Sequence, residues 1–321
     1  MKHLIGIDIG GTKISVSIGA AKGRVLGKIL IPTQTGRLGA RASAKAILLH
    51  AEQLLRKSKV KIESVKGIGV GIPGPVHPEK ELIEKSPNLP GWEHFPLRQI
   101  LKKHFKVPVH LENDANAAAV GEKFFGAGKR VKDFVYITVS TGVGAGIISN
   151  GKLVRGNSGC AGELGHTTIV VGGERCGCGK RGCVEAYASG TAIAKFASRE
   201  IRNGCKSTIL KFCKIQSDVT GTAVSDAADA GDSLAIRIRK QAGDYLGVGI
   251  GNLINVLNPS EIILGGGVLE NPNHFWAPMM KAIKREAWPF AFKSCKIVRT
   301  RLGKQVGDLG AMAVVLERSE H

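Results

Sequence analysis

The start of the chain follows the alternation of apolar and polar positions that is typical of β-strands. Residues 3–9 form a short β-rich run, residues 14–18 alternate strictly, and residues 25–31 form a third run. A period of two buries one face of a strand. Because the glycine turn Gly10–Lys13 joins the first two runs, the pattern predicts a β-meander with a Gly-Gly-Thr tip.

A second segment repeats this pattern in the middle of the chain. Residues 134–139 form another apolar run, residues 140–144 a turn rich in Gly and Thr, and residues 145–154 two short stretches joined by an Asn-Gly hairpin turn. The repeat predicts a duplicated α/β fold with a cleft between its halves. Glycine leaves backbone N–H groups accessible to an anion, so two such turns in matching positions favour a nucleotide phosphate site.

Helical and strand-like segments alternate between and after the two meanders. Helical spacing of apolar residues predicts helices over residues 40–57, 97–105, 184–201, 234–256, 275–287 and 308–316. Gly190 interrupts the third of these. Short apolar runs predict strands over residues 65–72, 107–111, 261–264 and 296–300. Residues 202–221 show no period that assigns them to either type.

Composition narrows the possible functions. Lysine and arginine number 46 against 26 acidic residues, which gives a net charge of +20. The charges are dispersed, which favours a solvated basic surface and an anionic small-molecule substrate over a nucleic-acid partner. No apolar run approaches about 18 residues, the length that a membrane span needs. The N-terminus also lacks a signal-peptide pattern. We therefore expect a cytoplasmic protein with no membrane and no nucleic-acid partner.

A stretch rich in cysteine and histidine is the most specific chemical feature of the sequence. His166, Cys176, Cys178 and Cys183 supply three thiolates and one imidazole, a complete tetrahedral shell for zinc. The surrounding glycines and charges argue against buried apolar cysteines, and the odd count of 7 cysteines argues against disulfides. An iron–sulfur cluster with Cys160 as the fourth thiolate remains an alternative.

Polar side chains near these segments are candidate ligand contacts. Glu163 and Glu185 flank the cysteine stretch, and the metal needs neither of them. Asn113 and Asp114 fall between the strand predicted over residues 107–111 and a helix that the run of residues 117–125 predicts. Because Asn and Asp also cap helices, a purely structural role for Asn113 or Asp114 remains open.

Together these residues resemble the ROK family of sugar kinases and sugar-responsive repressors, and the resemblance covers essentially the whole chain. The motifs that carry it are Asp8–Lys13, Gly71–Pro75, Glu112–Asn116, Glu163–His166, Cys176–Glu185 and Gly265–Gly267. Within the family, the Ser86–Trp92 loop is most similar to that of the bacterial ATP-dependent glucokinases. The resemblance implies an α/β protein of the actin/hexokinase-like (ribonuclease H-like) fold, duplicated into two domains with an interdomain cleft.

The resemblance implies an enzyme that moves the γ-phosphoryl group of ATP to the 6-hydroxyl of a hexose, with glucose as the first expectation. Asp114 would be the general base, and a helix N-terminus favours its ionised form. The implied sugar contacts are Gly74, Asn88, Asn113, Asp114, Glu163, His166 and Glu185. One nitrogen of His166 would bind a structural zinc ion while the other faces the sugar.

The resemblance also implies a nucleotide site. Its phosphate turns and adenosine loop would consist of Gly10, Gly11, Thr12, Lys13, Thr141, Gly142, Gly144, Gly265, Gly266 and Gly267. Asp8 would hold the Mg²⁺ that accompanies ATP, through water, because this ion loses its waters reluctantly. The sequence leaves open whether ADP or polyphosphate can replace ATP.

The chain of 321 residues is long enough for two domains. We place a smaller α/β domain at residues 1–120, completed by a C-terminal helix at about residues 305–321. A larger α/β domain with the zinc loop would cover residues 121–304. Closure of the domains on the sugar would exclude water. The resemblance further implies a homodimer or homotetramer.

Two other functions stay open at this point. A kinase of N-acetylmannosamine, N-acetylglucosamine, mannose, fructose or allose would keep every residue role, because these sugars change pairing and packing locally. A non-catalytic, sugar-responsive transcription repressor fits the basic charge. The phosphate turn begins near residue 8, however, which leaves no room for an N-terminal helix-turn-helix module.

Overall fold

Two five-stranded sheets organise the computed structural model, which describes residues 2–84, 86, 89–215 and 218–320. The strands of the first sheet are β1 His3–Ile9, β2 Lys13–Ala20, β3 Arg24–Pro32, β4 Val65–Ile72 and β5 Val109–Asn113. Their order in the sheet is β3-β2-β1-β4-β5. The first three strands form the predicted antiparallel meander, and β4 and β5 pair in parallel beside it.

The second sheet repeats this arrangement. Its strands are β6 Phe134–Val139, β7 Val143–Ser149, β8 Lys152–Val154, β9 Glu261–Gly265 and β10 Lys296–Arg299. Their order, β8-β7-β6-β9-β10, matches the first sheet strand for strand. The duplication predicted from the repeated meanders is therefore confirmed.

Helices connect the strands. They are α1 Gly36–Lys57, α2 Leu97–Phe105, α3 Asp114–Phe125, α4 Glu185–Ala188, α5 Gly190–Arg202, α6 Gly221–Asp229, α7 Ser233–Leu257, α8 Gly267–Glu270, α9 Trp276–Glu286, α10 Pro289–Ser294 and α11 Val306–Glu317. The break expected at Gly190 is present, because the Ser189 hydroxyl accepts the N–H of Ala192 and starts α5. Among the described residues, no helix combines the length and apolarity that a membrane crossing requires.

The C-terminal helix α11 packs on the sheet that opens the chain. Leu309 and Met312 join Leu4 of β1 in a buried apolar cluster. The helix backbone also approaches β4 so closely that a Cβ on Gly69 would lie 1.8 Å from the carbonyl oxygen of Ala311. Only glycine fits at such a contact. The first sheet is therefore covered by a helix from the far end of the sequence.

The chain forms two compact units. The first consists of residues 1–136, 146–162 and 300–321, and the second of residues 137–145 and 163–299. The first unit takes in more of the chain than the predicted residues 1–120. Residues 146–162 belong to it, and within them the guanidinium of Arg155 pairs with carboxylates on β5 and α11. The predicted domain limits themselves stay a prediction.

Candidate functional site

The first glycine turn lies at the tip of the β1–β2 hairpin. The N–H of Gly10 donates to the carbonyl of Lys13 at 2.9 Å, and the hydroxyl of Thr33 donates to the carbonyl of Gly10 at 2.7 Å. Gly11, Thr12 and Lys13 are exposed. The turn is therefore fixed at its base and accessible to a ligand at its tip.

Asp8 lies near the end of β1, close to Asp114. A Cβ on Gly71 of β4 would lie 3.8 Å both from Asp8 Oδ1 and from the Cα of Asp114, so one glycine separates the two aspartates. Burial, together with the negative charges of Asp114 and Asp308, raises the pKa of Asp8 to about 7, and two nearby lysines oppose this shift. A cation lowers such a pKa, so this carboxyl is suited to a site beside Mg²⁺.

Asn113 joins β5 to α3. Its side-chain oxygen accepts the N–H groups of Ala115 and Asn116 and so caps α3. Its side-chain amide donates to the carbonyl of Gly74 at 3.2 Å. The capping role that the sequence left open is therefore confirmed for Asn113, and the amide is held next to Gly74.

Asp114 is the first residue of α3, and its side chain is exposed. Its Oδ1 accepts the N–H of Ala115 at 2.8 Å. Although water reaches the side chain, the protein packed around the carboxyl raises its pKa, while backbone N–H groups act in the opposite direction. A fixed, accessible carboxylate with raised basicity has the properties of a general base.

A network of ion pairs that the sequence did not indicate holds the β5–α3 junction in place. The Glu112 carboxylate accepts the backbone N–H of Asn113 and the side-chain amide of Asn116, both at 3.1 Å. Arg155 donates to Glu112 at 2.7 Å and to Glu317 of α11 at 2.7 Å. All three charged side chains are largely buried. No local pattern signals this network, because Glu317 is 162 positions from Arg155.

The four predicted metal ligands come together in the second unit. Ligand atoms of His166, Cys176, Cys178 and Cys183 all lie within 4.8 Å of one another. His166 Nδ1 is 3.6 Å from Cys176 Sγ, and Cys178 Sγ is 3.8 Å from Cys183 Sγ. Ligands at zinc bond lengths in a tetrahedral shell would lie about 3.6–3.8 Å apart. The cluster therefore fits zinc, and Cys160 is not part of the group found among the described residues.

Two carboxylates, those of Glu163 and Glu185, lie beside this cluster. His166 Nε2 lies 3.8 Å from Glu163 Oε2, so Nδ1 faces the sulfur atoms and Nε2 faces the carboxylate. Glu185 accepts the N–H of Val143 at 2.9 Å, and its other oxygen lies 3.8 Å from Cys176 Sγ. Glu185 therefore connects the cysteine loop to the second glycine turn, a role that the sequence did not indicate.

The two glycine turns of the second unit lie side by side. Residues 140–144 form a closed turn, in which the N–H of Ser140 donates to the carbonyl of Gly142 at 2.8 Å. Gly266 has a φ of +99°, and a Cβ on it would lie 2.3 Å from the carbonyl oxygen of Val139. The triple-glycine turn therefore packs directly against the end of β6.

The predicted contact residues fall into two groups, one in each unit. The first unit contains Asp8, Gly10, Gly11, Thr12, Lys13, Gly74, Asn113 and Asp114. The second contains Thr141, Gly142, Gly144, Glu163, His166, Cys176, Cys178, Cys183, Glu185, Gly265, Gly266 and Gly267. Asn88, the remaining predicted sugar contact, lies outside the described residues.

Two sheets of equal strand order, each opening with a glycine-tipped meander, define a duplicated α/β protein of the actin/hexokinase-like fold. The sequence profile of the ROK family matches residues 4–318. The chain therefore belongs to the ROK family, as its motifs predicted.

Similar proteins in the family include both kinases and a repressor. The glucokinase of Halalkalibacterium halodurans is 36% identical over 95% of this chain and 92% of that protein. The crystal structure of a ROK family glucokinase from Streptomyces griseus, in complex with glucose and AMPPNP, is 32% identical with a TM-score of 0.79 and covers 97% of this chain and 98% of that chain. The xylose repressor of Caldicellulosiruptor bescii is 30% identical over 98% of this chain and 78% of that protein.

Proposed function

We propose that this ROK family sugar kinase transfers the γ-phosphoryl group of ATP to the 6-hydroxyl of glucose. The observation that carries the proposal is the pair of aspartates, Asp8 and Asp114, held next to each other across Gly71. The similar glucokinases, one of them crystallised with glucose and AMPPNP, support the choice of substrates.

In this proposal Asp114 accepts the proton of the sugar 6-hydroxyl while the hydroxyl oxygen attacks the γ-phosphorus, and the bond from the γ-phosphorus to ADP breaks. Phosphoryl transfer depends mainly on alignment and on charge stabilisation. Sugar hydroxyls need paired donors and acceptors, which amides, carboxylates and the Nε2 of His166 provide. The residues that would bind and orient the hexose are Gly74, Asn88, Asn113, Glu163, His166 and Glu185.

The glycine turns Gly10–Lys13 and Thr141–Gly144 would bind the triphosphate, and Gly265–Gly267 the adenosine. Asp8 would hold Mg²⁺ through water, and this ion neutralises phosphate charge when bound. The cluster of one histidine and three cysteines would hold a structural zinc ion, which fixes the loop that carries Glu163 and Glu185 when bound.

The test is ADP release from ATP and Mg²⁺ with a panel of sugars and a blank without sugar. Strong turnover with glucose alone supports the full proposal. If the protein instead turns over an N-acetylated sugar or another hexose, the proposed mechanism stands and glucose is replaced as the proposed substrate. Absence of turnover with every sugar, in protein shown by elemental analysis to contain zinc, would contradict the kinase proposal. Polyphosphate and ADP in place of ATP test the donor.

A non-catalytic, sugar-responsive repressor is the second candidate, because the xylose repressor matches 98% of this chain. ADP release from ATP that sugar stimulates distinguishes the two, since a pure repressor lacks it. As a kinase we expect the protein to be cytoplasmic and to form a homodimer or homotetramer, which light scattering after size-exclusion chromatography measures.

A further inference from the structure

Two arginine side chains hold the segment that follows the triple-glycine turn. The turn leads into the short helix α8, and residues 271–275 then connect α8 to α9. The carbonyl groups of Leu269, Glu270, Asn271 and Asn273 all accept hydrogen bonds from Arg239 or Arg299. Nothing in the sequence motifs indicated this arrangement.

Arg299, at the end of β10, binds the end of α8. Its Nη2 donates to the carbonyl of Leu269 at 2.8 Å and to that of Glu270 at 3.3 Å. The last carbonyl groups of a helix have no partner within the helix. Arg299 therefore supplies partners that a four-residue helix cannot supply itself.

Arg239, on α7, binds two carbonyl groups of the connection that follows α8. Its side chain is only 1% exposed. Its Nη2 donates to Asn271 at 2.5 Å and its Nε to Asn273 at 3.0 Å, and the guanidinium lies 5.6 Å from the ring centre of Phe275. A buried charge is costly to keep. Here the buried guanidinium forms hydrogen bonds to the main chain of the short connection between α8 and α9.

Asp229, at the end of α6, binds side chains of the same connection. Its carboxylate accepts the side-chain amides of Asn271 at 2.5 Å and of Asn273 at 3.0 Å. The connection is thus held on the backbone by arginine and on the side chains by aspartate. Apolar packing contributes little to α8, because Leu269 is its one buried residue.

We propose that Arg239 and Arg299 are positioning residues for nucleotide binding, which fix the Gly265–Gly267 turn in the shape that accepts the adenosine of ATP. The proposal rests on the proposed function, in which that turn contacts adenosine. It predicts an effect on ligands that contain a nucleoside and none on ligands that contain only phosphate or sugar.

The experiment compares Arg299→Met, Arg239→Met and Arg239→Lys with the unaltered protein. Losing charge-assisted hydrogen bonds of this kind changes an equilibrium constant by about tenfold. We expect KM for ATP to rise by about that factor in both methionine variants, with kcat and KM for the hexose nearly unchanged. Arg239→Lys keeps a donor and should recover part of the loss. Arg285→Met, which removes an exposed arginine paired with Asp244 and Glu286, is the control.

Inhibition by inorganic tripolyphosphate separates positioning from general damage. A misplaced adenosine loop weakens the binding of ATP and leaves the inhibition constant of tripolyphosphate unchanged. General distortion of the second unit weakens the binding of both ligands. Equal losses of affinity for ATP, tripolyphosphate and hexose would overturn the proposal, and so would an unchanged KM for ATP. If Arg239→Met does not fold, the exposed position of Arg299 still allows the test.

Failure of this positioning proposal can be distinguished from failure of the proposed kinase function. If the unaltered protein phosphorylates no sugar, the kinase proposal fails. Titration calorimetry with Mg–ATP then decides the present proposal, because the variants must still bind ATP more weakly than the unaltered protein. No measurable ATP binding by the unaltered protein would overturn both.

Discussion

At the scale of single residues, the two aspartates have different surroundings although one glycine separates them. Asp114 is exposed and anchored by a backbone N–H, whereas Asp8 is half-buried with a pKa near 7. Asn113 and Asp114 could be selected from the sequence because they occupy a polar junction. Which of them caps the helix could not, since both side chains have that ability.

Asp114→Asn should remove most turnover and leave hexose binding largely intact. The amide keeps the shape of the side chain but cannot accept the hydroxyl proton, and general-base catalysis contributes about 10²–10⁴-fold to a rate. Steady-state kinetics and calorimetry with the hexose measure the two effects. Asp226→Asn, at an exposed position of α6, is the control. Near-normal turnover by Asp114→Asn would refute the assignment of the base.

Asp8→Asn should stabilise the ligand-free protein, and more so at high pH. The pKa of Asp8 is about 7 in the folded state against an ordinary 3.8, so the folded state holds its proton more tightly. The unaltered protein therefore loses stability as the pH rises from the ordinary pKa of 3.8 to the folded pKa of about 7, whereas the Asp8→Asn variant has no such loss. Urea denaturation at about pH 5 and about pH 8 should show the larger gain at the higher pH. An equal gain at both would contradict the raised pKa.

At the scale of elements, the strands and long helices follow from periodicity, while the short elements do not. The helix α10 has six residues and buries one of them, Ala291, so it shows no helical period. The helix α6 is built largely from small residues and was equally missed. The cluster of one histidine and three cysteines could be predicted because its members are close in sequence. The link from Glu185 to Val143 spans 42 positions and has no local signal.

Cys178→Ser should lose zinc and lower the thermal stability of the protein, because metal binding at such sites is coupled to folding. Elemental analysis and thermal denaturation measure the two effects. Cys160→Ser is the matched control, since Cys160 is exposed and lies outside the cluster. Full metal content in Cys178→Ser would show that the ligand set is wrong. Loss of metal in Cys160→Ser would favour the four-thiolate alternative.

At the scale of the whole molecule, the repeated meander was enough to predict the duplication. The ion pairs that join distant parts of the chain were not predictable, because their charged side chains are far apart in sequence. Arg155 joins Glu112 of β5 to Glu317 of α11, and the exposed fractions of the two carboxylate side chains are 4% and 1%. Such contacts become visible only when the chain is folded.

Arg155→Met should destabilise the protein by up to about 3–5 kcal/mol. It removes the direct hydrogen bonds to the buried carboxylates of Glu112 and Glu317 and leaves Arg318, which lies 4.0 Å and 3.9 Å from them, as their remaining cation. Adding Glu317→Gln should recover part of this loss. Urea denaturation measures both variants. Arg56→Met removes an exposed pair with Glu52 and should cost about 1 kcal/mol or less. A similar small cost for Arg155→Met would mean that the network contributes little.

The cover that α11 provides for the first sheet has a consequence for how the protein is made. Residues 306–317 leave the ribosome after the whole of residues 163–299, the main segment of the second unit. The side chain of Leu4 on β1, which packs against Leu309 and Met312, therefore stays uncovered on that side while most of the chain is synthesised. The second unit has its main segment available first, and the unit that begins the chain is the last to be completed.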